Sequence, residues 1–180
     1  MSNRLRWIAT NGGPFVLAPQ IAVSTWRGDR GTSRSNAANL SDYGRACEVD
    51  GFVGVVESGD HRVAVIGDEP AETTWLPMGF TGGIIAKWTY APNFESAEES
   101  LLQLARPEVV RALPWASENV SLPVAEQRLL LFDAAIGGCD LTSADSISIP
   151  VPPGSLEIMT AIYEPTDEIS FVLHSLGEPK

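Results

Sequence analysis

Short runs of apolar and β-branched residues recur along the 180-residue chain, and turns rich in glycine and proline separate them. This pattern is typical of β-strands, whose successive side chains point to opposite faces of a sheet. The run at 52–66 should form a hairpin, the run at 73–76 should extend its sheet, and the last three strands should form an antiparallel meander. We predict strands at positions 6–9, 15–18, 21–26, 52–56, 62–66, 73–76, 84–90, 128–134, 146–151, 156–163 and 168–176.

Helical spacing occurs in short segments. Ser41 is a suitable N-cap for a helix at 41–49. A capping box of Ser96 and Glu99 precedes apolar residues at helical spacing, which predicts a helix at 97–105. Pro107 should end that helix and allow another to begin. The expected fold class is α+β and predominantly β, with antiparallel sheets and two short helices near the middle of the chain.

The length of the chain fits one domain, residues 1–180. An arrangement of two packed β lobes, at about 1–93 and 124–180 and joined by a helical segment at 96–115, stays open beside it. Cys47 and Cys139 show no metal-binding spacing and lie among small or apolar residues. We expect buried free thiols, and a disulfide between them is left open.

The net charge of −11 is unevenly distributed. Residues 1–46 hold six basic and two acidic residues, whereas residues 47–180 hold six basic and 21 acidic residues. Such a surface repels nucleic acid and anionic membranes, and it attracts cationic proteins. No apolar run is long enough for a signal peptide or a membrane span, so we expect a cytoplasmic protein. The sequence leaves the oligomeric state open.

The residue types that catalysis needs lack the required spacing. His61 lies in a predicted turn and His174 in the last predicted strand. The sequence contains no nucleophile elbow, no metal-binding motif of histidine or cysteine and no phosphate-binding loop. We therefore expect a protein that is not an enzyme and that binds no metal or cofactor.

Carboxylates and large aromatic rings combine in the tract at 67–91. Three acids precede Trp75, and we expect one side of its ring to stay in contact with water, as in tryptophans that anchor protein interfaces. More acids stand at the start of the predicted mid-chain helix, where carboxylates also stabilise the helix N-terminus. The candidate binding residues are Asp68, Glu69, Glu72, Trp75, Glu95, Glu98 and Glu99.

Five motifs give the first half of the chain a family resemblance. In their order and spacing they resemble the immunity protein 21 family of bacterial polymorphic toxin systems, over roughly residues 6–93. They are Trp7 with Gly12-Gly13-Pro14, Trp26-Arg27-Gly28, the segment from Asp42 to Cys47, Asp68-Glu69-Pro70 followed by Thr74-Trp75 and Pro77, and Gly82-Gly83 followed by Trp88 and Tyr90-Ala91.

The resemblance implies a protein that binds and neutralises a cognate toxin without catalysis. Many of the motif residues are of types that determine a fold, since glycine permits tight turns and tryptophan is often buried. This structural set is Gly12, Gly13, Pro14, Trp26, Asp42, Pro70, Gly82, Gly83 and Trp88. Together with the acidic surface, the resemblance predicts a basic toxin domain as the partner, and nucleases are one such class.

Two other classes of function stay open. One is a non-catalytic regulatory β module without a toxin partner, and a toxin gene beside this one would argue against it. The other is a carboxylate-based hydrolase, against which the scarcity of histidine and the lack of a nucleophile motif both weigh.

Overall fold

Two antiparallel sheets stack face to face. The structure is a computed structural model, and it describes residues 5–10, 12–33, 40–67, 71–79 and 82–177. The strands in these ranges are β1 (Trp7–Ile8), β2 (Phe15–Pro19), β3 (Val53–Ser58), β4 (His61–Ile66), β5 (Thr73–Pro77), β6 (Gly83–Tyr90), β7 (Ala116–Val124), β8 (Arg128–Asp133), β9 (Ser146–Pro150), β10 (Gly154–Thr166) and β11 (Ile169–Leu176). The α-helices in the same ranges are α1 (Gln20–Val23), α2 (Asp42–Cys47), α3 (Phe94–Leu102) and α4 (Pro107–Ala112).

Each sheet joins strands from the early and the late part of the chain. The six-stranded sheet has the order β1-β5-β6-β11-β10-β7, and the five-stranded sheet has the order β3-β4-β2-β8-β9. The two parts meet where β6 pairs with β11 in the larger sheet and where β2 pairs with β8 in the smaller one. Both β regions of the sequence therefore contribute to both sheets, and the fold is α+β and predominantly β, as predicted.

The main hydrophobic core fills the space between the sheets. Phe15 and Leu17 on β2 point into it from one side, and Ile85 on β6 and Ile158 on β10 point into it from the other. Phe15 and Leu17 lie two residues apart on β2 because successive side chains of a strand point to opposite faces. Burying one large apolar side chain of this kind stabilises the folded protein by about 1.5–3 kcal/mol, so this layer holds the two sheets together.

Helices cover the outer face of each sheet. Over the five-stranded sheet, Trp26 and Ala46 of the α1–α2 region pack in one cluster with Phe132 of β8. Over the six-stranded sheet, Leu101 of α3 packs in one cluster with Phe171 of β11. The molecule is thus layered as helix, sheet, sheet and helix. The central strands β2 and β11 are buried on both faces, whereas the outward-facing side chains of the edge strands β7 and β9 are exposed.

Two predictions about strand pairing are wrong. Strand β5 pairs with β1 and β6 in the six-stranded sheet, and it does not extend the β3–β4 hairpin. Strand β9 pairs with β8 in the five-stranded sheet, so the predicted meander is reduced to the β10–β11 pair. The alternation of apolar residues identifies a strand, but it fits either sheet equally because both sheets face the same core.

The chain at 21–26, predicted as a strand, is helix α1 followed by a turn. Ala22 and Val23 on α1 are buried against the outer face of the five-stranded sheet. This packing outweighs the β propensity of the segment, which depends on context. Strand β7 was not predicted before Pro123, and a proline is tolerated there because β7 lies at the edge of its sheet.

The helix starts follow from side-chain caps. Ser41 caps α2 as predicted, because its Oγ accepts a hydrogen bond from the backbone N–H of Gly44 (2.9 Å). Helix α3 begins earlier than predicted, because Asn93 accepts a hydrogen bond from the backbone N–H of Ser96 (2.9 Å). Asparagine is as favourable an N-cap as serine. The predicted capping box of Ser96 and Glu99 is therefore wrong.

Both cysteines are free and exposed, which corrects the expectation of buried thiols. Cys47 ends α2, whose buried side holds Asp42 and Ala46 instead. Cys139 lies in the loop after β8, where its Sγ is 3.7 Å from the carbonyl oxygen of Ser24.

One buried histidine lies on the central strand β11. His174 is fully buried, and its Nδ1 lies 3.0 Å from Oγ1 of Thr160 on β10. Its Nε2 has no hydrogen-bond partner among the described residues. Burial, followed by the positive charge of Lys87, lowers the pKa of His174 from 6.5 to about 3. The imidazole is therefore neutral in the folded protein at neutral pH.

Acidification should destabilise the protein through His174. As the pH falls from about 7 to about 5, the unfolded chain gains a proton on this histidine and the folded chain does not, so the free energy of unfolding decreases by up to about 2 kcal/mol. The decrease continues toward the folded-state pKa of about 3. Urea denaturation at a series of pH values measures this slope.

The variant His174→Gln keeps a polar side chain near Thr160 and should flatten the slope over this pH range. His61→Gln, at the β3–β4 turn, is the matched control and should leave it unchanged. A slope as steep in His174→Gln as in the native protein would contradict the role of His174.

Candidate functional site

Several motif residues of the first half meet in the helical layer over the five-stranded sheet. Gly13 lies against the ring of Tyr43, and a Cβ at this glycine would come within 2.5 Å of the ring. The indole of Trp26 is fully buried and donates a hydrogen bond to the carbonyl oxygen of Ala134 (2.9 Å). Gly12 has a φ of +120°, which favours glycine. These residues determine local packing.

Asp42 is a fully buried carboxylate at the start of α2. It accepts hydrogen bonds from the backbone N–H of Arg27 (2.7 Å), the backbone N–H of Ser33 (2.8 Å) and the Ser33 hydroxyl (2.9 Å). It also forms an ion pair with the guanidinium of Arg45, one turn along the helix. The side chain thereby fastens the loop between α1 and α2 to the helix, which is a structural role.

The remaining motif residues surround β6 and β2. A Cβ at Gly83 would collide with the carbonyl oxygen of Leu76 and the ring of Trp75, so the start of β6 requires a glycine. Gly82 precedes it with a φ of +105°. Pro14 offers its carbonyl oxygen to the backbone N–H of Ala134 (3.0 Å). Pro70 lies outside the described residues.

The acidic tract before Trp75 is only partly described. Asp68 and Glu69 lie outside the described residues. Trp75 is 9% exposed and packs in the core between the sheets, so the expectation that one side of its ring stays in contact with water is wrong. The reason is strand alternation, which turns Trp75 inward while Leu76 packs on the outer face.

The predicted acids of the mid-chain helix do come together. Glu95, Glu98 and Glu99 follow the i, i+3, i+4 spacing that places side chains on one side of a helix, and Leu102 continues it at i+7. The other side of α3 is buried through Leu101. Of the three acids, Glu95 alone lies in the first turn. Stabilisation of the helix N-terminus therefore accounts for Glu95 but not for the other two.

These acids line a groove of about 970 Å³, which we call the α3 groove. Exposed apolar side chains stand among them, since Phe94 is 47% exposed and Leu102 is 58% exposed. Large exposed apolar side chains bordered by charged ones are characteristic of interaction surfaces. The lining residues are Leu5, Trp7, Asn93, Phe94, Glu95, Glu98, Glu99 and Leu102.

Three rings, which we call the aromatic trio, meet at the groove: Trp7 and Phe94, which line it, and Trp88, which packs against both. Their centroids are 5.7 Å (Trp7 to Trp88), 5.8 Å (Trp7 to Phe94) and 4.7 Å (Trp88 to Phe94) apart, all in edge-to-face geometry. The Nε1–H of Trp7 donates a hydrogen bond to Oε1 of Glu98 (3.1 Å). The trio therefore holds the start of α3 against β1 and β6.

Glu72 stands next to the aromatic trio. Its carbonyl oxygen accepts a hydrogen bond from the backbone N–H of Trp88 (2.8 Å), which sets the two residues opposite each other in the sheet. Its Oε2 is buried and has no hydrogen-bond partner among the described residues. Burial raises the pKa of Glu72. Because directly opposite residues of antiparallel strands point to the same face, the Glu72 side chain lies on the face of the sheet that carries Trp88.

Sequence reasoning found the acids of the groove and missed most of its apolar lining. Leu102 could have been found, because it continues the helical spacing of the acids. Trp7 could not, because its contact with Glu98 spans 91 positions of the chain. Phe94 was missed because the helix was expected to begin after it.

A second cavity, of about 520 Å³, lies at the other end of β6 under α4. Its lining is uncharged and includes Met78, Val110, Pro152 and Leu176. Within the described ranges, no group of three or more histidine, cysteine, aspartate and glutamate residues is arranged to hold a metal ion. None of the described helices has both the length and the apolar character needed to cross a membrane.

Comparison with known proteins identifies the family. The model of the family described as Immunity protein 21 matches residues 6–169. The chain therefore belongs to the immunity protein 21 family, and the match extends far beyond the first-half motifs. A search of curated proteins and a search of solved structures each gave no match.

Asp42→Ala should cost about 3–5 kcal/mol of folding stability, because it removes the charged partner of Arg45 and leaves the backbone donors of Arg27 and Ser33 without their acceptor. Chemical denaturation measures the loss. Asp29→Ala, at an exposed position of the same loop, is the control and should change stability by no more than about 0.5 kcal/mol. Equal stabilities of the two variants would contradict the structural role of Asp42.

Proposed function

We propose that this immunity protein neutralises a toxin by binding a basic toxin domain in the α3 groove. The observation that carries the proposal is the meeting of the α3 carboxylates with exposed Phe94 and Leu102 in one groove. A protein interface combines an apolar centre with a polar rim, and this groove offers both. Membership of the immunity family supports a toxin as the partner.

The charge of the protein supports a basic partner. The chain carries a net charge of −11, and the acids of α3 project from the layer that covers the six-stranded sheet. A strongly acidic surface accelerates encounter with a cationic protein and disfavours acidic competitors. Nucleases carry basic surfaces that bind phosphates, so they are the class of toxin that this acidic surface would attract most strongly.

Reversing the charge of the groove should weaken toxin binding. The double variant Glu95→Lys with Glu99→Lys should lower the association rate with the cognate toxin domain by about tenfold or more at low salt. Surface plasmon resonance measures this rate, and thermal denaturation verifies the fold.

The matched control is Glu48→Lys with Asp50→Lys, which makes the same charge change beside α2 on the opposite outer layer. If both double variants slow association equally, the toxin senses only the net charge, and the α3 groove is not the binding site. If the native protein forms no complex at low salt, the proposed function is wrong.

Measurements at different ionic strengths distinguish the long-range attraction between charges from the short-range apolar contacts of the interface. Raising the salt concentration should slow association, because exposed charges are screened within about 10 Å at 0.1 M salt. The dissociation rate should change much less, since it depends on the short-range contacts of Phe94 and Leu102. Stopped-flow measurements over a salt series test this, and an association rate independent of salt would exclude electrostatic steering.

A further inference from the structure

The aromatic trio differs from the other aromatic groups of the core in its exposure. Phe94 is 47% exposed, and Trp7 and Trp88 are each only partly buried. The face of an aromatic ring carries negative potential and attracts a cation within about 6 Å of its centroid. Three rings with centroids 4.7–5.8 Å apart thus bring several negative ring faces close together, and the exposed part of Phe94 is open to a cation.

Carboxylates stand beside the trio. Glu98 is fixed there because it accepts the hydrogen bond from Trp7 Nε1. Glu72 lies opposite Trp88, and its buried Oε2 has no partner among the described residues. A buried acceptor without a donor destabilises the protein. A ligand that donates a hydrogen bond to this oxygen would remove that cost and would therefore bind more tightly.

We propose that the aromatic trio and its two flanking carboxylates, Glu72 and Glu98, receive one arginine side chain of the toxin. This inference rests on the proposed function and names the chemical group that the groove recognises. The guanidinium is planar and can lie on a ring while its N–H groups reach a carboxylate. An ammonium group lacks that flat surface and is more strongly hydrated, so lysine fits this site less well.

Two blocked tripeptides, Gly-Arg-Gly and Gly-Lys-Gly, test the chemistry without the toxin. The probe signal is the NMR resonance of the Trp7 indole N–H, which donates to Glu98. The arginine peptide should shift this resonance in a saturable manner, with a dissociation constant on the order of millimolar, and it should bind more tightly than the lysine peptide. Equal binding of the two peptides, or no shift with either, would overturn the proposal.

Two variants test the residues. Phe94→Leu keeps an apolar side chain but removes one ring, and it should weaken the arginine peptide by about tenfold. Phe52→Leu, at another exposed phenylalanine outside the groove (42% exposed), should have no effect. Glu72→Gln should weaken the peptide without loss of stability, because the native carboxylate is already poorly solvated. Glu48→Gln is its control.

The toxin complex distinguishes failure of this inference from failure of the proposed function. If the toxin domain binds the native protein and Phe94→Leu with equal affinity, the arginine site is wrong and binding in the groove can still hold. If the toxin domain does not bind the native protein, the proposed function is wrong, whatever the peptides show. A selective loss of toxin affinity in Phe94→Leu, with Phe52→Leu unaffected, supports the arginine site.

Discussion

The central strands of both sheets have to be covered on both faces, and the rest of the structure depends on this constraint. Strand β2 shows it most clearly, because all of its residues from Phe15 to Pro19 are buried. One face of each sheet is covered by the other sheet, and the remaining faces need helices. Short helices are long enough to cover these faces, because each helix has to bury only one or two side chains against the sheet. Their positions are then held by specific contacts, such as the Asp42 carboxylate beneath α2 and the aromatic trio beneath α3.

The geometry of the α3 groove follows from the same constraint. Helix α3 must turn Leu101 toward the six-stranded sheet, so Glu95 and Glu99 are directed to solvent while Glu98 lies at the side of the helix, against Trp7. The trio fixes the rotation of the helix, because Phe94 and Glu98 contact Trp7 at two successive turns. The carboxylates are therefore presented by a rigid element. A rigid surface loses little conformational entropy when a partner binds.

The sequence alone predicted the fold class, most strands and the acids of α3, since these depend on local spacing. It failed where distant parts of the chain decide the outcome. The alternation in β9 fits either sheet, and only the pairing with β8 assigns it. The same limit applies to the site. The sequence shows that Glu95 and Glu99 share one side of a helix, whereas the contact between Trp7 and Glu98 depends on the tertiary fold. Trp75 was misjudged because its neighbours suggested a surface, although its strand turns it inward.

Strand β11, the last strand of the described residues, lies in the middle of the larger sheet, between β6 and β10. During synthesis, β6 is complete long before β11 emerges, so one edge of β6 has no partner until the four strands that lie between them in the sequence have been made. Contacts between such distant segments make folding slow, and an open edge with apolar faces invites association with other chains. For this architecture, the late arrival of one central strand sets the moment at which the larger sheet can become continuous.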